Sequence, residues 1–501
     1  MVRETVDVTT GKPSSPGLSF PSVARTRMID GTVRVFLAEA LIVPTGLLTV
    51  AYLTRQLGPS DYGRYTLAVA LIAWLEWGLA APFGRASVRL LAAATDWLPV
   101  ASLVIRAELI AGSVVALALV LAAPLVAAAL HEPALTSLLQ LLSLDLPLFG
   151  LSHAHQQVLV ALGRFRARAL LSAARWTVRL VLIVAAVEAG WSTHGVVLAI
   201  VGTSVAEVAL ARRFVKPPIF RRSHVPVRML FEYVVPLLLT ALSLRLFERL
   251  DVMMLKLFGR SAGDVGVYGA AQALTLATGM FAAAFVPLLL STVTRAVEAG
   301  DLSHARDIGR DSLRVVVLLL PLAAILAASA RDVIALVFGP EYLAGVPVFQ
   351  CLIFAGVMGV AIAVGCALLV SAGKPGWTLG VAGPLPVLAI AAHAWAIPRF
   401  GSIGAAAVTM CCSVVGAAFA FGAVHLMWQI TPRSASVLKG VALAVVGAVV
   451  AGAWPTPGLW VVLKLGVLCS GVLLFLVVSG EFGNPGSLLK KASSRAALRQ
   501  Q

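Results

Sequence analysis

Charged residues are scarce in this chain of 501 residues. Asp, Glu, Lys and Arg together make up 12% of it, whereas 59% of the residues are hydrophobic. Soluble domains carry about 25% charged residues, so the composition excludes a soluble globular protein. Apolar runs continue into the C-terminal part, which also excludes a soluble enzyme held by a single anchor. The sequence therefore predicts an all-α polytopic membrane protein.

Cysteines and nucleotide-binding motifs are also scarce. The five cysteines all fall in apolar runs without disulfide or metal-ligand spacing, and we interpret them as packing residues. The chain contains no Walker A sequence, which argues against ATP hydrolysis. We therefore predict no enzymatic activity, no catalytic residues, no cofactor and no metal site.

Fourteen apolar stretches are long enough to cross a hydrocarbon core about 30 Å thick, which takes about 20 helical residues. They lie at about residues 32–54, 65–84, 103–130, 135–162, 169–188, 194–212, 229–255, 266–293, 313–330, 346–372, 377–396, 403–428, 437–454 and 458–479.

Acidic residues are outnumbered by basic ones, 23 to 39, which gives a net charge of +16. With a cytoplasmic N-terminus, the inner segments hold 27 basic residues, counting Arg106, Arg212, Arg314 and Lys439 at the inner ends of spans, and the outer segments hold six. This asymmetry follows the positive-inside rule and predicts that both termini are cytoplasmic. The same bias explains the net charge without a nucleic-acid partner.

Two halves of the chain repeat each other. LGPSDYGRYTLA (57–68) and RSAGDVGVYGAA (260–271) both contain D-x-G-x-Y, at an offset of 203 residues. Gly163-Arg164 corresponds to Gly373-Lys374, and Gly195 to Gly404, at offsets of 210 and 209. These three matches occur in the same order at nearly constant offset. They predict two homologous six-helix lobes of the same topology, followed by two additional helices.

Four segments carry a family resemblance. LGPSDYGRYTLAVALIAWLEWGL, RLDVMMLKLFGRSAGDVGVYGAAQAL, LVFGPEYLAGVPVFQCLIFAG and IPRFGSIGAAAVT resemble signatures of the Wzx-like polysaccharide-biosynthesis flippases. These flippases are part of the multidrug/oligosaccharidyl-lipid/polysaccharide (MOP) exporter superfamily, and the resemblance covers about residues 32–430. It implies two six-helix lobes around a central cavity, in the bacterial cytoplasmic membrane. The implied substrate is a lipid-linked oligosaccharide, and the implied partners are membrane lipids, glycan polymerases and other envelope-assembly proteins.

These patterns together divide the chain into six parts. We predict a disordered cytoplasmic tail (1–31), an N-terminal lobe (32–213), a basic cytoplasmic linker (214–228), a C-terminal lobe (229–429), helices thirteen and fourteen (430–480) and a second cytoplasmic tail (481–501).

Paired arginines lie inside predicted spans. Arg175 and Arg179 are four residues apart on one helix face near mid-membrane, and Arg245 and Arg249 repeat this spacing. Because a buried charge is costly, such residues face a bundle interior or a wet cavity. A guanidinium pair suits a diphosphate, and the resemblance supplies a polyprenyl pyrophosphate. The alternative is that these arginines form interhelical salt bridges.

Carboxylates also lie inside the spans. Glu39, Glu76 and Asp145 are candidates for ion or proton coupling, since a carboxylate can be neutralised for transit. The alternative is that each simply balances an arginine. Glu248 and Asp251 are candidates for a structural ion pair with Arg249.

Two other functions compete with a flippase. A multidrug exporter of the same superfamily would share the fold, although organic cations favour an acidic and aromatic cavity over arginines. A membrane glycan polymerase or ligase would need a sizeable catalytic outer loop, and the longest predicted outer loop, 331–345, lacks a catalytic cluster.

Overall fold

Helices make up most of the described chain. A backbone in lipid has no water to bind, and a helix satisfies its own N–H and C=O groups. The computed structural model describes residues 38, 40–94, 96–218, 250–374, 376–431 and 433–480, and these residues contain no strand. The helices are α1 (Ile42–Ala93), α2 (Trp97–Ala129), α3 (Leu135–Ser143), α4 (Asp145–Ala161), α5 (Phe165–Glu188), α6 (Ser192–Phe214), α7 (Leu250–Leu257), α8 (Ala262–Ala273), α9 (Leu276–Glu298), α10 (Leu302–Leu318), α11 (Leu320–Ala328), α12 (Ala330–Val337), α13 (Val346–Ser371), α14 (Gly376–Ala382), α15 (Pro384–Trp428), α16 (Ser434–Ala453) and α17 (Trp460–Val478), with a 3-10 helix at Pro340–Gly345.

Ten helical stretches of the described residues are long and apolar enough to cross a membrane. One of them, Gly376–Trp428, bends at Gly401 and has the length of two spans. Helix α1 bends at Gly58 and also has the length of two spans. Both glycines have positive φ, 61° and 71°, which glycine adopts without steric strain. With α7 as the described end of the span predicted at 229–255, the arrangement agrees with fourteen spans, and the predicted all-α class is confirmed.

The N-lobe consists of α1 to α6. Helix α4 packs against α1, α2 and α6, and α5 packs against α1 and α6. Glycines bring α2 and α4 together: a Cβ on Gly112 would lie 2.8 Å from the Leu146 carbonyl oxygen, and one on Gly150 would lie 2.8 Å from the Glu108 carbonyl oxygen. This close approach places the polar side chains of the two helices beside each other.

The C-lobe consists of α7 to α15, with α13 packed against α9 and α15. Helices α16 and α17, which lie outside the sequence repeat, both pack against α11. Lys464 of α17 is 1% exposed and donates a hydrogen bond to Asp332 of α12 over 3.2 Å. This bond pairs a buried charge, which would otherwise be costly, and ties α17 to the C-lobe.

The lobes meet at what we call the predicted outer side, the end that holds residues 55–64, 131–134 and 256–260. Here the two D-x-G-x-Y motifs cross. A Cβ on Gly63 would lie 1.8 Å from the Ala262 carbonyl oxygen, and one on Gly266 would lie 2.0 Å from the Pro59 carbonyl oxygen. The repeated motif therefore builds one backbone-to-backbone contact between the lobes.

The structure differs from two local predictions. Helix α10 begins at Leu302, before the predicted span 313–330, because residues 302–312 form an amphipathic helical segment that buries Ala305 and Gly309. The predicted outer loop 331–345 is mostly α12 and the following 3-10 helix, since apolar Val333 and Ile334 are buried.

Several predicted parts lie outside the described residues. They are the tails 1–31 and 481–501 and most of the linker, 219–228.

Candidate functional site

Charged side chains from four helices meet inside the N-lobe. Glu76 comes from α1, Asp145 begins α4, Arg175 and Arg179 come from α5, and Glu207 comes from α6. We call these five residues the N-lobe charge cluster. Arg175 is ten residues into α5, about 15 Å along a helix that crosses the membrane. The cluster therefore lies at membrane depth, where the helix packing described above shields it from lipid.

Arg175 is held in place by its neighbours. Its Nη1 donates a hydrogen bond to Oε2 of Glu207 over 3.0 Å, and its guanidinium lies 5.5 Å from the centroid of the Phe149 ring. The Glu207 side chain is fully buried, and its other oxygen accepts a hydrogen bond from Gln156. The alternative of an interhelical salt bridge therefore applies to Arg175. Sequence reasoning did not select Glu207 as a site residue, although its place in an apolar span signalled a buried partner.

Glu76 and Asp145 form a carboxyl pair. The two groups lie within hydrogen-bonding reach, and Glu76 also lies within electrostatic reach of Arg175 and Arg179. Asp145 is fully buried, and neither of its oxygens accepts a hydrogen bond from another donor of the described chain. Two ionised carboxylates in contact repel each other, whereas one shared proton supplies a hydrogen bond. The structure thus brings together two of the three carboxylates that we selected for coupling.

A second polar group adjoins the cluster. His153 Nδ1 lies 2.8 Å from Oε2 of the buried Glu108, and its Nε2 lies 2.8 Å from Nε2 of Gln157. The Phe149 ring stacks on His153 at 6.0 Å and also contacts Arg175. Phe149 thus connects the histidine with the charge cluster. Sequence reasoning did not select His153 as a site residue and missed its carboxylate partner.

The remaining candidate residues cannot be placed at this site. Glu39, Arg245, Glu248 and Arg249 lie outside the described residues. Asp251 of α7 is buried in the C-lobe, where it accepts hydrogen bonds from the Tyr268 hydroxyl over 2.6 Å and from Gln272 Nε2 over 3.2 Å. These two donors are neutral, and the ion pair between Asp251 and Arg249 stays a prediction.

An apolar cavity lies apart from the cluster. Its volume is about 480 Å³, and both arms of α15 line it, with Trp395, Phe400 and Cys411 among its residues. Trp395 and Phe400 are each 57% exposed, which turns this cavity toward lipid. None of the candidate charged residues lines it.

The N-lobe charge cluster has more acidic than basic groups. Three carboxyl groups face two guanidinium groups, so full ionisation leaves a net charge of −1, and one added proton makes the cluster neutral. Arg175 is fixed by Glu207, and both arginines lie within electrostatic reach of Glu76. Such an arrangement can bind an anion on the arginines when the carboxyl pair takes up a proton.

Comparisons with known proteins bear on the fold and the family. Residues 52–347 match the family described as polysaccharide biosynthesis protein. No curated protein matches the chain.

Among solved structures, the lipid II flippase MurJ in its inward closed conformation is similar at a TM-score of 0.73 and 14% identity, over 90% of this chain and 98% of that one. A multidrug resistance MATE family transporter of the MOP superfamily, in its inward-facing conformation, is similar at a TM-score of 0.61 and 14% identity, over 79% of this chain and 96% of that one. A third similar structure is a MOP superfamily transporter from Pyrococcus furiosus, which is described by a reversed polarity of its binding pocket. Its TM-score is 0.54 and its identity 12%, over 84% of this chain and 96% of that one.

At these identities the structural likeness shows the fold alone, and it is the fold of MOP superfamily transporters. The family match adds polysaccharide biosynthesis. The resemblance that we drew from four sequence segments is thereby confirmed.

Proposed function

The chain belongs to the polysaccharide biosynthesis protein family, and from this we propose that it is a flippase for a polyprenyl-pyrophosphate-linked oligosaccharide or a related polysaccharide precursor. It works in the bacterial cytoplasmic membrane with both termini in the cytoplasm, as the 27-to-6 charge bias indicates. It exposes its substrate site to one side of the membrane and then to the other, as its two repeated lobes rock against each other.

The N-lobe charge cluster is the observation that carries this proposal. Arg175 and Arg179 stand on one face of α5 at membrane depth. The side chain of Arg175 is 16% exposed, so the ion pair with Glu207 does not enclose it completely. The planar forks of two arginines match the oxygens of a diphosphate. Glu207 and Phe149 hold the first guanidinium in position, and Arg179 completes the binding site.

Ion coupling follows from competition for the same arginines. When Glu76 and Asp145 are both ionised, they compete with an anionic substrate for Arg175 and Arg179. A proton on the carboxyl pair removes one negative charge and makes the guanidinium groups available to the diphosphate. Proton binding and substrate binding therefore favour each other, and by linkage each strengthens the other to the same extent.

The same arrangement favours an anionic substrate over the cationic drugs of a multidrug exporter. With a proton on the carboxyl pair, an organic cation would gain no net attraction from the neutral cluster and would meet two guanidinium groups at membrane depth, where like charges repel strongly. The drug-antiport alternative nevertheless shares the fold, and transport assays must separate the two functions.

The deciding experiment is translocation in proteoliposomes. Three substrates are compared: a polyprenyl-pyrophosphate oligosaccharide, its polyprenyl-monophosphate analogue, and an organic cation such as ethidium. We expect translocation of the first, markedly slower translocation of the second, and no cation transport. Cation transport without any translocation of the lipid-linked sugars would overturn the proposal in favour of drug antiport. Translocation of neither class would overturn both.

A further inference from the structure

A buried ionic network connects the two lobes at the predicted outer side. Glu132, in the turn between α2 and α3, is 8% exposed. Its Oε1 accepts a hydrogen bond from Arg64 Nε over 2.9 Å, and its Oε2 accepts one from Lys256 Nζ over 2.8 Å. Arg64 Nη1 in turn donates to Asp61 over 2.7 Å. We call Asp61, Arg64, Glu132 and Lys256 the outer latch.

The outer latch joins two lobes and not two neighbours within one lobe. Arg64 and Glu132 are N-lobe residues, whereas Lys256 lies in the last turn of α7 of the C-lobe and is 5% exposed. Both partners of the 2.8 Å bond are therefore nearly removed from water. A buried pair of this kind strongly penalises loss of one partner, because the other is left as an uncompensated charge.

Other cross-lobe contacts surround the latch. Arg55 donates to the carbonyl oxygens of Leu336 and Val337, the latter over 3.1 Å. The Tyr342 hydroxyl donates to the Thr54 carbonyl oxygen over 3.2 Å. Like the crossing of the D-x-G-x-Y motifs, these contacts lie at the predicted outer side. A transporter that opens outward must break them together.

We propose that Glu132 and Lys256 are gate-positioning residues whose ion pair sets the equilibrium between closed and open states of the predicted outer side. This inference rests on the proposed alternating access but not on the identity of the substrate. Glu132 serves as the shared acceptor, and Lys256 is the C-lobe cation that leaves it on opening. Once the gap fills with water, both charges are solvated, so the pair resists opening without preventing it.

The titration of Glu132 makes the latch resistant to acid. Burial raises the pKa of Glu132, but the hydrogen bonds from Lys256 and Arg64 outweigh burial, and the resulting pKa is below its usual value. The carboxylate therefore stays ionised at any ordinary external pH. The latch is a constitutive energetic barrier to opening, which substrate or ion binding elsewhere must overcome.

The test measures closure and not transport. A Cβ on Gly263 would lie 3.6 Å from the Ser60 hydroxyl oxygen, across the crossing between the lobes. Ser60→Cys with Gly263→Cys, in a background whose five native cysteines are replaced by alanine, should form a disulfide in the closed state. The rate of oxidative cross-linking, in proteoliposomes without added substrate, reports the closed population.

Glu132→Gln and Lys256→Gln should each lower this rate by about five- to tenfold, since removing one partner of a buried pair strongly weakens closure. Asp332→Asn is the matched control: it removes the acceptor of the Lys464 ion pair, which lies wholly within the C-terminal part of the chain, and should leave the rate unchanged.

Each outcome is decisive. Unchanged cross-linking in both Glu132→Gln and Lys256→Gln would overturn the latch, as would an equal fall in Asp332→Asn. Circular dichroism and thermal unfolding of the same samples identify a variant that simply fails to fold, and in that case Glu132→Asp, which keeps the charge, supplies the comparison. A working latch in a protein that translocates no lipid-linked sugar would leave the latch intact and overturn only the proposed substrate.

Discussion

Arg175 Nη1 lies 3.0 Å from Oε2 of Glu207, which fixes one arginine of the predicted pair and leaves the other differently placed. Both arginines lie within electrostatic reach of Glu76, which also interacts with the Asp145 carboxyl, but Glu207 is the partner of Arg175. The two arginines therefore have unequal roles, although the sequence presents them as equivalent neighbours on one helix face. In the proposed mechanism Arg175 is the anchored ligand, and proton uptake by the carboxyl pair makes both guanidinium groups available.

Replacing the arginines should separate charge from shape. Arg179→Lys keeps the charge but loses the planar fork, and we expect translocation to fall about tenfold or more, since hydrogen bonds to charged groups contribute about 1.5–3 kcal/mol. Arg175→Ala and Arg179→Ala should abolish most translocation while expression and membrane insertion stay near normal. Uptake in proteoliposomes measures this. A double alanine variant that translocates normally would eliminate the pyrophosphate site.

Neutral replacements should expose the coupling carboxylates. Glu76→Gln and Asp145→Asn each remove one proton-binding group of the pair, so at least one of them should flatten the pH or sodium dependence of translocation. Glu39→Gln belongs to the same series, because Glu39 was selected on the same grounds. Asp307→Asn is the control, because the Asp307 side chain pairs with Arg310 and is 68% exposed. Unchanged dependence in all three amide variants would assign these carboxylates a purely structural role.

Adding a methyl group at the crossing should loosen the closed state. In Gly63→Ala the new Cβ would meet the Ala262 carbonyl oxygen at 1.8 Å, so the lobes must separate locally, at a cost of about 1–3 kcal/mol for overpacking. Cross-linking between positions 60 and 263 should slow accordingly. Gly78→Ala on the same helix has nothing within 4 Å of its new Cβ and should behave as the parent protein. Equal cross-linking rates in the two alanine variants would contradict the backbone contact between Gly63 and Ala262.

Thiol labelling should test the membrane orientation of the chain, which the charge bias predicts. Cysteines introduced singly at Arg222 and Arg260, in the background without native cysteines, should react with an impermeant thiol reagent from opposite sides of the membrane. The inner position is the basic linker, and the outer one follows α7. Reaction of both from the same side would refute the assignment of both termini to the cytoplasm and an even number of spans.

The fold was predictable because its signals are local. Apolar runs of membrane-spanning length, the 203-residue offset of the D-x-G-x-Y motif and the four family segments all lie in short stretches of sequence. The candidate site was only partly predictable. Helical spacing placed Arg175 and Arg179 together, but Glu207 and Phe149 reach Arg175 from other helices, and His153 connects only through Phe149. Nothing in a single sequence indicates which faces of α4, α5 and α6 turn toward each other.

The same limitation applies to the latch. Glu132 lies in a short turn and Lys256 at the end of a span more than a hundred residues later, and each by itself resembles an ordinary interfacial charge. Their contact depends on how one lobe sits on the other at the predicted outer side, where Gly63 and Gly266 also cross.

External pH should hardly affect closure until it becomes strongly acidic. Because hydrogen bonds from Lys256 and Arg64 hold the pKa of Glu132 below its usual value, the stabilisation from its ionised form is complete above that usual value. It is lost only as the pH falls through the lowered pKa. Spin labels at Ala134 and Leu257, one exposed site on each lobe at the predicted outer side, measure the separation by pulsed electron resonance. The distance distribution should stay short between about pH 8 and 5 and lengthen only below about pH 4, the usual range for a glutamate. Glu132→Gln should show the longer distances throughout, because it has no charge to lose. Opening near pH 6 that persists when Glu76→Gln and Asp145→Asn remove the proposed coupling pair would place the controlling proton on another group and refute Glu132 as the gate carboxylate.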